Sequence, residues 1–206
     1  MNVYDFDKTI LKEDSSLAFW MLVMKQNPTL GLKYGSKALT ARNKWKKGKI
    51  TREEYKNIEF SYLEQIDVEA FLDVFMEEEI LKINEWYYAK HKPSDIIISA
   101  SPEFIIERFC KKLDVTNFIA SKVDIKTGEA LGKNCYGEEK VIQFRKKYGD
   151  VEIDEFYSDS LSDTPLAKLA KKAYLVKGNK FVDWPFEKIK EDIKEIKEET
   201  QETNEV

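Results

Sequence analysis

The sequence predicts an α/β fold, a parallel sheet with helices on both faces and an all-helical unit inserted after the first strand. Three observations carry that prediction. A short apolar strand, Asn2 to Phe6, begins almost at the first residue. A stretch of roughly 75 residues follows in which apolar side chains recur at helical spacing with no strand between them. From Pro93 onward, short apolar runs alternate with amphipathic helices, the rhythm of strand–helix–strand units.

The insertion opens with Ser15 to Gln26, rich in Leu, Phe, Trp and Met, with Asp14 or Ser15 as N-cap and Pro28 closing it. A basic helix from Leu30 to Lys47 ends at Gly48. Thr51 and Glu54 make a capping box for a third helix. Asp67 caps a long fourth helix predicted to run to Lys90, with Phe71, Val74, Phe75 and Leu81 near helical spacing. The run Asp95 to Ser99 is continuously apolar between turn signals, as a buried parallel strand is. Next come a helix at Glu103 to Leu113, a strand at Ala120 to Ile125, a turn at Lys126-Thr127-Gly128 and a helix at Glu138 to Tyr148. A strand at Glu155 to Ser158, a helix at Pro165 to Lys172 and a strand at Ala173 to Val176 complete a Rossmann-like core. On this reading residues 1–13 and 91–206 form the α/β core and 14–90 a helical cap. The charged end, 187–206, carries Ile189, Ile193 and Ile196 on one stripe of a docking helix.

Composition narrows the class. With 42% hydrophobic residues in 206, the chain can bury a real core. Eight glycines and five prolines are too few for a fibrous or low-complexity chain, and two cysteines, Cys110 and Cys135, are too few for a disulfide scaffold. No apolar run reaches the length of a membrane span and no signal-peptide pattern opens the chain. These features predict a soluble, cytoplasmic protein with reduced thiols. Thirty-four basic against 38 acidic residues argues against nucleic acid as a partner. The net charge of −4 is uneven: Ser15 to Arg52 holds nine basic and no acidic residues, leaving −13 for the rest. That basic segment reads as a solvated face, as a lid that draws in an anionic substrate, or as a surface that rests on an anionic membrane. A single histidine, His91, placed at the cap–core hinge, moves any catalysis onto carboxylates, hydroxyls and lysine.

The chemistry gathers at strand ends. Asp5-Phe6-Asp7-Lys8-Thr9 closes the first strand, Ser99-Ala100-Ser101 follows the most apolar one, and Asp159-Ser160-Leu161-Ser162-Asp163 follows Phe156 and Tyr157. Ligands of open α/β sheets bind outside those carboxyl ends. Carboxylates and a serine turn converging there suit a hard cation and a phosphate. A balancing cation is available from Lys140, opening a helix after Gly137, in preference to Lys133 in the preceding hairpin.

The order DFDKT, SAS, a lysine in NCYGEEK, then YSDSLSDTPL resembles the haloacid dehalogenase-like superfamily. More narrowly, it resembles the phosphoserine phosphatase-like branch, whose helical cap follows the first motif. The resemblance spans Asp5 to Trp184. It implies a magnesium-dependent phosphatase acting on a small-molecule phosphate ester, a metabolite or a lipid phosphate, through an aspartyl-phosphate. Asp5 is then the nucleophile, and Asp7 the general acid and base whose carbonyl also binds the metal. Asp159 and Asp163 are the further metal-site acids, Asp163 acting directly, through water, or by holding Lys140. Ser99, Ala100, Lys140 and the backbone at Phe6 hold the phosphoryl oxygens, and Thr9 orients the loop. Ser158 stands where many relatives have glycine. The cap acid and arginine that recognise the amino acid in phosphoserine phosphatases have no clear counterpart, because no acid lies between Asp14 and Glu53. A phosphotransferase or phosphomutase would also need both Asp5 and Asp7; the other alternative, a non-catalytic phospholigand-binding or regulatory module on the same fold, is opposed by the presence of all four acids, Asp7 above all.

Overall fold

The structure, a computed structural model, describes residues 1–189. Its sheet has six strands in the order β3-β2-β1-β4-β5-β6. The strands are β1 (Asn2–Tyr4), β2 (Ile96–Pro102), β3 (Asn117–Ser121), β4 (Ile153–Ser158), β5 (Ala170–Lys177) and β6 (Lys180–Asp183). All neighbours pair in parallel except β5 and β6. The expected α/β class, with helices on both faces, is what forms.

Strand alternation assigns each face its core. Val3, Ile96, Ile98 and Phe156 point to one side, where Phe144, Leu166 and Trp184 cover them. Tyr4, Ile97 and Tyr157 point to the other, where the inserted helices and α6 (Glu103–Lys112) pack. On that side Tyr4, Tyr157 and Tyr174 stack across three adjacent strands, with centroids 5.0 and 5.1 Å apart. Trp86 and Tyr87 of α5 (Glu85–Lys90) close over them.

Between β1 and β2 lie α1 (Ser15–Gln26), α2 (Pro28–Lys46), α3 (Arg52–Phe60), α4 (Val68–Glu79) and α5. Three of these begin at side-chain caps legible in the sequence. Asp14 accepts from Leu17 N–H, Asp67 accepts from Ala70 N–H, and Thr51 and Glu54 form the full capping box. The insertion shares one core with the sheet: Phe19 of α1 meets Phe75 of α4 and Phe104 of α6 edge-on.

Several elements differ from the sequence reading. The long fourth helix is broken: α4 ends at Glu79, a 3₁₀ turn covers Ile80–Lys82, and α5 starts at Glu85. The break is tertiary in origin. Ile83 bridges Leu11, Asn84 N–H donates to the Ile10 carbonyl, and Asn84 Nδ2 donates to the Thr9 carbonyl at 2.7 Å. The chain here leaves the helix to brace the loop after β1. Val74 and Leu81 are consequently exposed, while Phe75 is buried. β3 lies earlier than expected, at Asn117–Ser121, and the helix expected to reach Lys172 is one turn, α8 (Thr164–Ala167). Residues Ala170 to Lys172 extend β5 instead, because they pair with β4. β6, a hairpin return on β5, was not foreseen. Of the expected terminal stripe, Ile189 packs against the second core, and Ile193 and Ile196 lie outside the described residues.

Candidate active site

β1 is the switch point of the sheet: the chain continues outward to β2 and β3 on one side, then crosses to β4 on the other. A crevice opens at such a point. Asp5 N–H donates to the Tyr157 carbonyl at 2.8 Å, holding the end of β1 against β4. The following loop coils on itself. The Phe6 carbonyl accepts from Thr9, Ile10 and Leu11, and Lys8 takes a positive φ of 57°. The Phe6 ring turns into the core against Phe109, so only its backbone can face a ligand.

Asp5 meets a buried cation. Lys140 Nζ lies 2.7 Å from Asp5 Oδ1 and 2.7 Å from Asp163 Oδ2, and the lysine side chain is 2% exposed. It is delivered by the first turn of α7 (Glu138–Tyr148), whose N-cap Gly137 has a φ of 58°, a conformation costly for any residue with a Cβ. Lys133, the alternative in sequence, is 76% exposed and 3.9 Å from Glu139, outside this cluster. Ser158 Oγ donates to Asp163 Oδ2 at 2.8 Å and accepts from Ser160 N–H at 3.1 Å. Thr9 Oγ1 accepts from Asp159 N–H at 2.9 Å and donates to Asp5 Oδ2 at 3.4 Å, tying the loop after β4 to that after β1.

Two carboxylates and one ammonium in a dry pocket leave an excess negative charge. Burial pushes the Asp5 carboxyl up to about 8, against the pull of Lys140 and with repulsion from Asp163. Burial works against the charge on Lys140 too, but Asp163 and Asp5 outweigh it and hold the ammonium above the usual lysine range. Asp159 is raised by burial, opposed by Lys8 and assisted by Asp163. Burial also pushes the Cys135 thiol up to about 12, which removes it as a nucleophile.

Asp7 stands at the mouth of the crevice with both carboxylate oxygens occupied. Ser15 N–H donates to Oδ1 at 2.7 Å, and Ser101 Oγ donates to Oδ2. Ser101 is itself bonded to Ser15 Oγ at 3.1 Å, and its N–H donates to Ser99 Oγ at 3.0 Å. Ser99 is fully buried. Burial raises Asp7 above the usual carboxylate range, with Asp14 adding repulsion and the two serines opposing. Ala100 and Ser101 line the floor of a cavity of about 650 Å³, roofed by Trp20, Trp45, Tyr55 and Tyr62 of the insertion. A smaller hollow of about 290 Å³ near Leu63 and Lys126 is lined by none of Asp5, Asp7, Asp159 and Asp163.

The donor set suits a hard cation. Asp163 Oδ1 is buried with no hydrogen-bond partner among the described residues. No three His, Cys, Asp or Glu side chains among those residues form a closed metal cage. Magnesium does not need one: it takes one or two carboxylates and completes its shell with waters and substrate phosphate. Asp5, Asp159 and the Asp7 carbonyl could hold it on those terms.

The order of these groups along the chain, and their meeting at the carboxyl ends of β1, β2 and β4, can be set beside known proteins. The family model described as haloacid dehalogenase-like hydrolase matches residues 3–168. The chain belongs to that family. No curated protein matches this hydrolase. Its fold is shared with a Bordetella pertussis protein of unknown function at a TM-score of 0.67 and 18% identity, over 84% of this chain and 87% of that one. It is shared also with a probable phosphoserine phosphatase from Vibrio cholerae (TM-score 0.54, 14% identity, 84% and 55% covered). A phosphoserine phosphatase carrying a phospho-aspartyl intermediate analogue aligns at a TM-score of 0.51 and 16% identity, with 83% of each chain covered.

Sequence reasoning missed the parts of this hydrolase's site that hold other parts. Ser158 counted only as a departure from glycine, yet its hydroxyl fixes Asp163. Ser15 counted only as a possible cap, yet its amide fixes Asp7. The serines flanking Asp159 and Asp163 were the available signal for the first; no neighbour of Asp7 in sequence pointed to Ser15.

Proposed function

We propose that this hydrolase is a magnesium-dependent phosphomonoesterase working through an aspartyl-phosphate on Asp5. The observation that carries this is the placement of Asp5 at the sheet's switch point with one oxygen on buried Lys140, beside an Asp7 whose carboxyl is raised. Asp5 Oδ2 attacks phosphorus and the bond from phosphorus to the ester oxygen breaks. Asp7, protonated, gives its proton to the departing alkoxide. Water then attacks the phosphoryl group while Asp7 takes a proton back, releasing inorganic phosphate and restoring Asp5. Ser15 and Ser101 hold the Asp7 carboxyl in one orientation through both steps. Ser99, the turn at Ala100, the backbone at Phe6 and Lys140 supply donors for the phosphoryl oxygens, with Lys140 kept charged by Asp163. When bound, magnesium at Asp5, Asp159 and the Asp7 carbonyl supplies positive charge against the phosphate. Asp163 serves that site by holding Lys140. Residues 14–90 act as the cap that closes the cavity over the ester.

No helix among the described residues is long and apolar enough to cross a membrane. The two free, buried thiols support a cytoplasmic setting. Nothing in the geometry supports docking of the basic segment on a membrane surface.

Release of p-nitrophenol from its phosphate tests the reading. Wild-type activity should require magnesium and vanish with EDTA, and Asp5→Asn should lower it by at least about a thousandfold. Full activity in that variant would remove Asp5 from the role.

A further inference from the structure

The far wall of the cavity carries charge that the reaction does not use. Arg42 of α2 and Arg52 of α3 both line it, on the side of Trp45 and Tyr55. Of the other cations on the cavity wall, Lys8 stands next to Asp7 and Lys56 is paired inside the protein. Lys56 lies 2.6 Å from Glu59, which also accepts from the Tyr55 hydroxyl, so that carboxylate is taken. No carboxylate lies within ion-pair distance of Arg42 or Arg52 among the described residues.

Arg52 is held as a rigid donor. Its guanidinium lies 3.7 Å from the Tyr136 ring centroid and 4.8 Å from that of Trp45, and Trp45 stacks on Tyr55 at 5.4 Å with planes 7° apart. Burial is the main force pulling its pKa down. Its Nε is buried with no hydrogen-bond partner. An orphaned guanidinium nitrogen costs free energy that a carboxylate or phosphate, accepting two parallel N–H bonds, would recover. Near Asp7 the cavity wall is instead acidic, with Glu13 and Asp14. The two ends of the cavity therefore differ: Glu13 and Asp14 stand with Lys8 beside Asp7, while Arg42 and Arg52, free of ion pairs among the described residues, stand at the far end with the Lys56–Glu59 pair, and aromatic rings lie between.

We propose that Arg42 and Arg52 form an anion subsite, so that the natural substrate is a phosphomonoester whose leaving group bears a second anionic group across an apolar or aromatic spacer. This rests on the phosphatase reading and specifies its substrate. A carboxylate at the far end would satisfy both arginines, and the rings of Trp20, Trp45 and Tyr55 would cover the spacer. An amine at that end would face two cations that no carboxylate pairs directly, and would be disfavoured against an anion.

The test compares aryl phosphates that differ only in that charge: 4-carboxyphenyl phosphate and its longer homologue 3-(4-phosphonooxyphenyl)propanoate, each against its neutral amide. The ratio of kcat/KM for acid over amide should exceed about tenfold for at least one spacer. Arg42→Gln and Arg52→Gln should each lower that ratio about tenfold. Arg52→Lys, which keeps the charge but not the fork, should fall between. Lys44→Gln removes the same charge from α2 outside the cavity wall and should leave the ratio in place. An acid-to-amide ratio near one for both spacers, or equal loss on acid and amide in the two arginine variants, would overturn the subsite. Calorimetric binding of the non-hydrolysable 4-(phosphonomethyl)benzoate and its amide, with magnesium present, reads the same preference without turnover. Tighter binding of the acid that weakens in Arg52→Gln would uphold the subsite even if no ester is hydrolysed, in which case the phosphatase reading alone fails.

Discussion

At the end of the sheet, Lys140 stands 2.7 Å from each of two buried carboxylates. Across the cavity, Arg42 and Arg52 have no carboxylate within ion-pair distance among the described residues. Both regions carry cations, Lys140 buried within the sheet end and the arginines on the cavity wall, but they use charge differently. The sheet end pairs its one cation with two carboxylates and is braced from several strands, which fixes atoms at a cost in desolvation. The wall on the insertion leaves charge unanswered, which keeps it free for a ligand. Under the proposed function, rigidity belongs to the sheet end and choice of substrate to the insertion.

The comparison breaks first at Lys140. Lys140→Met leaves Asp5 and Asp163 buried without their shared cation, and should lower stability by about 3–5 kcal/mol in urea unfolding, partly relieved as the acids protonate at lower pH. An unchanged midpoint would mean that the sheet end is wetter and looser than its burial implies. Ser158→Ala is gentler. It strips one donor from Asp163 and should cost about 1–2 kcal/mol by the same measurement, with the loss concentrated in stability if the hydroxyl only positions the acid. Smallest of all, Arg42→Gln should move stability by no more than about 0.5 kcal/mol, since its head group bonds to no other side chain. A large loss there would show that the arginine supports the insertion rather than waiting for a ligand.

Local signals in the sequence proved dependable where the structure is local. α1 and α7 have the expected bounds, and the caps at Asp14, Thr51 and Asp67 form as spelled, because each depends on a few consecutive residues. Errors came where distant segments decide. The helix break at Ile80 to Asn84 exists because Asn84 has bonding partners around Thr9 and Ile10, more than seventy residues earlier. Lys171 and Lys172 read as helix, yet they lie in β5 because β4 offers pairing, with Lys171 also bonded to Asp154 at 2.8 Å. Trp20 packs against the core and also lines the cavity, and Trp45 lines it too, a division that no spacing announces.

The candidate site divides along the same line. Asp5, Asp7, Thr9, Ser99, Lys140, Asp159 and Asp163 were singled out by type and spacing, because this chemistry needs oxygen donors and one cation at strand ends. The sequence alone determined which groups are available and that they belong to the carboxyl edge of a parallel sheet, since strand periodicity and strand-end motifs are written in consecutive residues. Only the tertiary structure decided which lysine is buried, which serines hold which acids, and which two arginines of a basic segment face the cavity unpaired. Those outcomes depend on burial and on partners brought together across the chain, and no window of sequence contains both.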